Sequence, residues 1–159
     1  MIFVTVGTQL PFDRLIRAID EIVPDLANEE VIAQTNNGNY RPLHIKVCDY
    51  ICTGDFDKLM DRARLIISHA GTGTIISALM KKKPIIIMPR LAFLGEHRNE
   101  HQLATAMKMN ELNYVHVAYD KKQLRDLLLN GNIQNLQCIG DHASEELIRS
   151  ITDFIKADK

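Results

Sequence analysis

No stretch of this 159-residue sequence is apolar for anything close to the roughly 18 to 20 residues that a bilayer-crossing helix needs. The start, Met1-Ile2-Phe3-Val4-Thr5-Val6, has no basic lead and no long apolar core, so it reads as a first strand and not as a signal peptide. Excess charge of one sign is also missing. The formal net charge is −1, which gives no global attraction to nucleic acid. Cysteine is scarce: Cys48, Cys52 and Cys138 are an odd number without a Cys-x-x-Cys pair, which argues against a disulfide framework and a zinc ribbon. They read as small core residues of a protein from a reducing compartment. Repeats, low-complexity tracts and linkers are absent, so one domain over residues 1–159 is expected.

What is present is a composition with 46% hydrophobic and 25% charged residues, enough for a real core. Ile2 to Val6, Val31 to Gln34, Leu65 to Ser68 and Pro84 to Met88 are short, near-continuous apolar runs, as in strands buried on both faces. Ile45 to Val47, Tyr50 to Cys52 and Tyr114 to Val117 read as further short strands. Between them, apolar residues recur at helical spacing: Phe12, Ile16, Ile19 and Val23 after Pro11, then Phe56, Leu59, Met60 and Ala63 with Asp55 as a cap. Ile75, Ile76, Leu79 and Met80 follow, then Leu103, Ala106 and Met107 within Asn99 to Met109. Lys121 to Leu129 and Ala143 to Ile155 are two more helices. This alternation predicts an α/β fold: a Rossmann-like parallel sheet with helices on both faces, and ligands at the carboxyl ends of the strands.

The most informative turn is Ser68-His69-Ala70-Gly71-Thr72-Gly73-Thr74, which joins a strand to a helix. Small residues let an anion approach the backbone, and the first free amides of the helix point at it. Thr72 and Thr74 add hydroxyl donors. The dinucleotide fingerprint is absent, because the third position after Gly73 is Ile76, and so is the Walker sequence. The pattern therefore admits a phosphate cradle of unspecified kind, or a tight turn whose glycines only solve a packing problem. Gly7-Thr8 is a second such turn after the first strand.

Val4-Thr5-Val6-Gly7-Thr8 followed by Phe12-Asp13-Arg14-Leu15-Ile16 resembles the opening of the family 28 glycosyltransferase C-terminal domain. Ile67 to Thr74 resembles its UDP-binding loop, Lys83 to Arg90 the strand that follows, and Gly95-Glu96-His97 with His101-Gln102-Leu103 its sugar-contacting segment. The sequence also resembles the stand-alone PssE/EpsF type of exopolysaccharide synthesis and its eukaryotic counterpart, the cytosolic subunit of the split UDP-GlcNAc transferase. MurG is a more distant relative with both halves in one chain. The resemblance implies the C-terminal, donor-binding half of a GT-B enzyme. It would transfer a hexose-type sugar from a UDP-sugar, with inversion, to a lipid-linked saccharide acceptor held by a membrane-anchored partner subunit. It implies donor contacts at Gly7, Thr8, Ala70, Gly71, Thr72, Gly73, Thr74, Arg90, Glu96, His97, His101 and Gln102. His69 would stand near the diphosphate as a protonated helper of the leaving group, and the general base would lie on the partner. No cofactor or metal is expected beyond the substrate, and the location would be cytoplasmic, peripheral at the inner membrane face through the partner. Two positions depart from the pattern: Ser77 stands where relatives carry a ribose-binding Glu, and Gln34-Thr35-Asn36 where they often have Gln-Thr-Gly.

Other readings compete. His97-Arg98-Asn99-Glu100-His101 spells His-x-x-Glu-His, the inverted zinc-peptidase motif, with two histidines four apart. A non-catalytic nucleotide-binding module also fits. Lys81-Lys82-Lys83 is either a solvated helix end or a contact for anionic lipid. The last helix, with Leu147, Ile148, Ile151 and Phe154, is either core or a partner-facing surface.

Overall fold

In the computed structural model, residues 1–133, 137, 139–140 and 145–157 are described. Six strands form one sheet: β1 (Ile2–Thr5), β2 (Val31–Gln34), β3 (Lys46–Cys48), β4 (Leu65–His69), β5 (Ile85–Met88) and β6 (His116–Val117). Their order is β3-β2-β1-β4-β5-β6, and every pairing is parallel. Six helices accompany them: α1 (Asp13–Ile22), α2 (Thr53–Arg62), α3 (Thr72–Met80), α4 (His101–Glu111), α5 (Lys121–Asn130) and α6 (Glu145–Ala157). This is the doubly wound Rossmann order, as the alternating pattern predicts.

Side-chain alternation along each strand sorts the core into two layers. Ile2, Val4, Leu65, Ile67, Ile86 and Met88 pack on one face against Leu15, Ile16 and Ile19 of α1 and Leu124 of α5. Phe3, Ile66, Ile85 and Ile87 pack on the other against Met60 of α2, Ile75, Ala78 and Leu79 of α3, and Ala106 of α4. Both faces of β1, β4 and β5 are thus dry, which is why these strands read as unbroken apolar runs. The chain moves outward in opposite directions from β1 and β4, so a crevice opens at their carboxyl ends.

Several local expectations fail for identifiable reasons. Cys48 and Cys52 are exposed, not core. β3 is an edge strand, exposed at all three residues, so the two-faced burial of the central strands does not extend to it. Cys138 lies outside the described residues. Tyr50 to Cys52 is a connection into α2, not a strand. That helix starts at Thr53, with Cys52 as its N-cap residue and Asp55 inside its first turn. α4 starts two residues later than expected. Gln102, Ala106 and Met109 then face inward, while Met107 is 59% exposed. The described apolar side chains of α6, including Ile148, Ile151 and Phe154, are exposed and form no core. Lys81 pairs with Asp57 and Asp61 of α2, and Lys83 donates to the carbonyls of Asp61 and Ala63, so two of the three lysines fasten a helix end. No helix among the described residues is long and apolar enough to cross a membrane.

The β2–β3 connection is fixed by Asp20, only 2% exposed. Its carboxylate accepts from the amides of Leu43 (3.0 Å) and His44 (2.7 Å) and from the Tyr40 hydroxyl (2.8 Å). Burial opposes ionisation, but these three donors outweigh it and hold the carboxyl below its ordinary range. Asp20→Asn is expected to cost about 2 kcal/mol at neutral pH, measured by urea unfolding. A depressed folded pKa stabilises at higher pH, so the gap between the two proteins should close as pH falls below about 4.

Candidate functional site

The carboxyl ends of the central strands open into a pocket of about 610 Å³. Four connections build it: β1–α1 with Gly7, Thr8 and Leu10; β3–α2 with Tyr50, Ile51 and Phe56; β4–α3 with His69, Ala70, Gly71, Gly73 and Thr74; and β5–α4 with Arg90, His97, His101 and Gln102. Its volume suits a small organic ligand. Among the described residues no aspartate or glutamate lines it.

At its floor α3 begins without a side-chain cap, with Gly71 as N-cap. The first intrahelical amide bond is Ile75 N–H to the Gly71 carbonyl, so the amides of Thr72, Gly73 and Thr74 precede the helical ladder. A helix start of this kind carries partial positive charge and offers donors to an anion. A Cβ added at Gly73 would meet nothing within 4 Å, so that approach is open.

Gly7 and Gly71 have a different task. A Cβ on Gly7 would come 2.7 Å from Cε1 of His69, and one on Gly71 would overlap the same ring. The His69 imidazole therefore fills the space that two glycines leave, and Gly7 also holds φ at +78°. Burial, with Arg90 and His97 nearby, pushes the His69 pKa down to about 4, against a raising hydrogen bond to the Thr5 backbone. Its Nδ1 is buried without a partner among the described residues. The ring is thus neutral at pH 7, which corrects the expectation of a protonated imidazole helping a leaving group.

Gln102 ties two loops together. Its Oε1 accepts from the amides of Ala70 and Arg90, each at 3.2 Å. Both partners are donors, so the oxygen is assigned there and the amide NH₂ is left to donate to a ligand. Ala70 contributes its backbone to this link and not to the anion cradle. Beneath it, Thr5 Oγ1 donates to Gln34 Oε1 at 2.7 Å and accepts from the Gly7 amide at 3.2 Å. After Gln34 the turn survives without glycine, since Asn36 and Asn37 hold φ of 52° and 56°.

The structure brings most of the expected donor residues to one pocket, with three qualifications. Glu96 does not line it; its carboxylate pairs with Arg14 at 2.7 Å. Thr72 does not line it either, and only its backbone stands at the helix start. Arg90 reaches the wall, but the residue is 2% exposed and its guanidinium donates to the carbonyls of Val6, Leu10 and Pro11. Burial lowers its pKa to about 10, so it stays charged at neutral pH. Sequence reasoning missed Tyr50, Ile51, Phe56 and Thr105. The rule that loops after parallel strands line the crevice points to the first two. Helical spacing from Thr74 and Gln102 points to Ser77 and Thr105, which also line it.

The zinc-peptidase pattern does not assemble. α4 begins at His101, so His97 lies in the preceding loop and the two do not share a helix face. His97 Nδ1 is 3.1 Å from Asn99, and Glu100 accepts from the Ala92 amide. Asp55-Phe56-Asp57 spells Asp-x-Asp on α2, but Asp55 pairs with Lys58 and Asp57 with Lys81, and only Phe56 between them reaches the pocket. Among the described residues no cluster of three His, Cys, Asp or Glu is placed to hold a metal.

The family profile described as glycosyltransferase family 28 C-terminal domain matches residues 1–156. The chain is similar to the UDP-N-acetylglucosamine transferase subunit ALG13 of Candida albicans, 32% identical over 88 residues. That alignment covers 55% of this chain and 28% of the Candida protein, so the chain spans little more than a quarter of that relative's length. The fold is similar to the NMR solution structure of ALG13, with TM-score 0.59 and 21% identity over 94% of this chain and 93% of that one. It is also similar to Acinetobacter baumannii MurG, with TM-score 0.62 and 17% identity over 98% of this chain and 49% of that one.

A neutral, wedged His69 has a signature in stability. Between pH 6.5 and 4 the unfolded chain takes up a proton at this residue and the folded chain does not. The native protein should lose on the order of 3 kcal/mol over that range relative to His69→Gln, measured by denaturant unfolding at each pH.

Proposed function

The chain belongs to the glycosyltransferase family 28 C-terminal domain family, and on that premise we propose that it is the donor-binding subunit of a two-component inverting glycosyltransferase. The donor is a UDP-sugar and the acceptor a lipid-linked saccharide. The observation that carries this reading is the pocket itself: a bare helix start faces a cavity that no carboxylate among the described residues lines. Such a lining favours an anion strongly over a cation.

The diphosphate sits at the amides of Thr72, Gly73 and Thr74, with the Thr74 and Ser77 hydroxyls beside it. The base lies toward Tyr50, Ile51 and Phe56, where an exposed aromatic and an apolar floor suit a flat ring. The sugar reaches Gln102, His97 and His101, and the Gln102 NH₂ donates to one of its hydroxyls. As the bond to the anomeric carbon breaks, negative charge grows on the departing UDP. Oriented amides and the α3 dipole stabilise it without a metal ion. His69 contributes shape and not a proton.

The acceptor hydroxyl must lose a proton, and no carboxylate of this pocket can take it. We place the general base on a membrane-anchored partner, which also holds the acceptor. The chain would then be a cytoplasmic protein held at the inner membrane face through that partner, with exopolysaccharide or another lipid-linked glycan as product. The same lack of a carboxylate fits a module that only binds nucleotide. Sugar transfer that appears on adding the partner separates the two.

Calorimetric titration with UDP and a panel of UDP-sugars, with and without EDTA, tests the reading. Saturable binding unaffected by EDTA is expected. Gly73→Asp places a carboxylate at the open helix start without a clash and should weaken UDP by about tenfold or more with little change in Tm. A folded native chain that binds no uridine nucleotide overturns the proposal.

A further inference from the structure

Two arginines cross between the loops that flank the pocket. Arg14, in the first turn of α1, reaches into the segment after β5. Its Nε donates to Glu96 Oε1 at 2.7 Å, and its Nη2 to Glu96 Oε2 at 2.9 Å and to the Pro89 carbonyl at 2.7 Å. Its Nη1 donates to the Tyr119 carbonyl at 3.0 Å. Arg90 reaches the other way, to the carbonyls of Val6, Leu10 and Pro11 at 2.8, 2.6 and 2.7 Å. Both guanidinium carbons lie over the Phe12 ring, at 5.2 Å for Arg14 and 4.9 Å for Arg90. Glu96 completes the clasp by accepting from the Leu91 amide at 2.9 Å.

Neither Arg14 nor Glu96 lines the pocket. Their side chains are 25% and 15% exposed, and partly buried pairs of this kind add little net stability over apolar replacements. What a bidentate pair does supply is fixed geometry. The object it fixes is the 91–97 segment, which ends in His97 at the pocket wall. With Nδ1 of His97 engaged by Asn99, Nε2 is the ring nitrogen offered to a ligand. The anion cradle at Thr72 to Thr74 is on a different connection, anchored by β4.

We propose that the Arg14–Glu96 pair is a positioning device for the sugar end of the donor pocket, holding the 91–97 segment so that His97 meets the sugar while the diphosphate cradle stands independently of it. This rests on the donor-binding reading. It makes Arg14 and Glu96 specificity-determining without contact to the ligand. Lysine cannot replace Arg14, because one ammonium cannot bridge both carboxylate oxygens and two carbonyls in a plane.

The test combines amide hydrogen exchange with calorimetry of UDP and UDP-N-acetylglucosamine on the native chain, Arg14→Lys and the double variant Arg14→Met/Glu96→Gln. The double variant leaves no lone charge behind, and its Tm reports whether it folds. Expected are faster exchange confined to residues 91–97 and UDP affinity within about threefold of native. The extra affinity that the sugar confers should be lost, by about tenfold, in both variants. Unchanged exchange at 91–97, or equal losses for UDP and the UDP-sugar, overturns the positioning role while the donor reading stands. A native chain that binds neither nucleotide overturns both.

Discussion

The pocket depends on one crowded point, where the His69 ring occupies the space that Gly7 and Gly71 leave empty. The ring ends β4, and the glycines belong to the first turns after β1 and before α3. A larger residue at either glycine, or a larger ring at His69, would push the two connections apart. Closeness here brings the α3 helix start up to the β1–α1 loop, so the anion cradle and the Gly7–Thr8 turn face one cavity. The neutrality of the imidazole follows from the same crowding, which strips most of the water from the ring.

Around this point the connections are joined by side chains that bind backbone. Gln102 gives one oxygen to two amides, Arg90 three donors to three carbonyls, and Thr5 links Gln34 to the Gly7 amide. Loops at the end of a parallel sheet have no ladder to hold them, so their polar groups must be satisfied in this way. The arrangement also commits side chains that would otherwise be free for a ligand. The pocket is left with backbone amides, hydroxyls, imidazoles and carboxamides, and with no carboxylate among the described residues.

The architecture was legible because periodicity depends on burial, and burial in β1, β4 and β5, and at the inward positions of the helices that cover them, is nearly complete. The same logic misled where burial stops. Cys48 and Cys52 look like core residues only if every strand is covered, and β3 is not. Met107 looks inward by its spacing from Leu103, but the face of α4 docked on the fold runs through Gln102, Ala106 and Met109. For the site, the loops were found because glycine and small residues at strand ends are local features. Tyr50 and Ile51 were missed because nothing in their own segment marks them; they matter through the place of β3 in the sheet.

The sequence by itself determined the doubly wound fold, the positions of the glycine-rich turns and the family, since these follow from local spacing and from the order of short motifs. Only the tertiary structure decided what individual side chains do. His69, Arg90 and Glu96 are polar residues in family motifs, and from the sequence each could as well contact a ligand. Their partners are 60 to 90 residues distant in the chain: His69 against Gly7, Arg90 against Val6 and Glu96 against Arg14. A hydrogen bond between such residues leaves no periodic trace, because it is set by the docking of one loop on another and not by the repeat of either element.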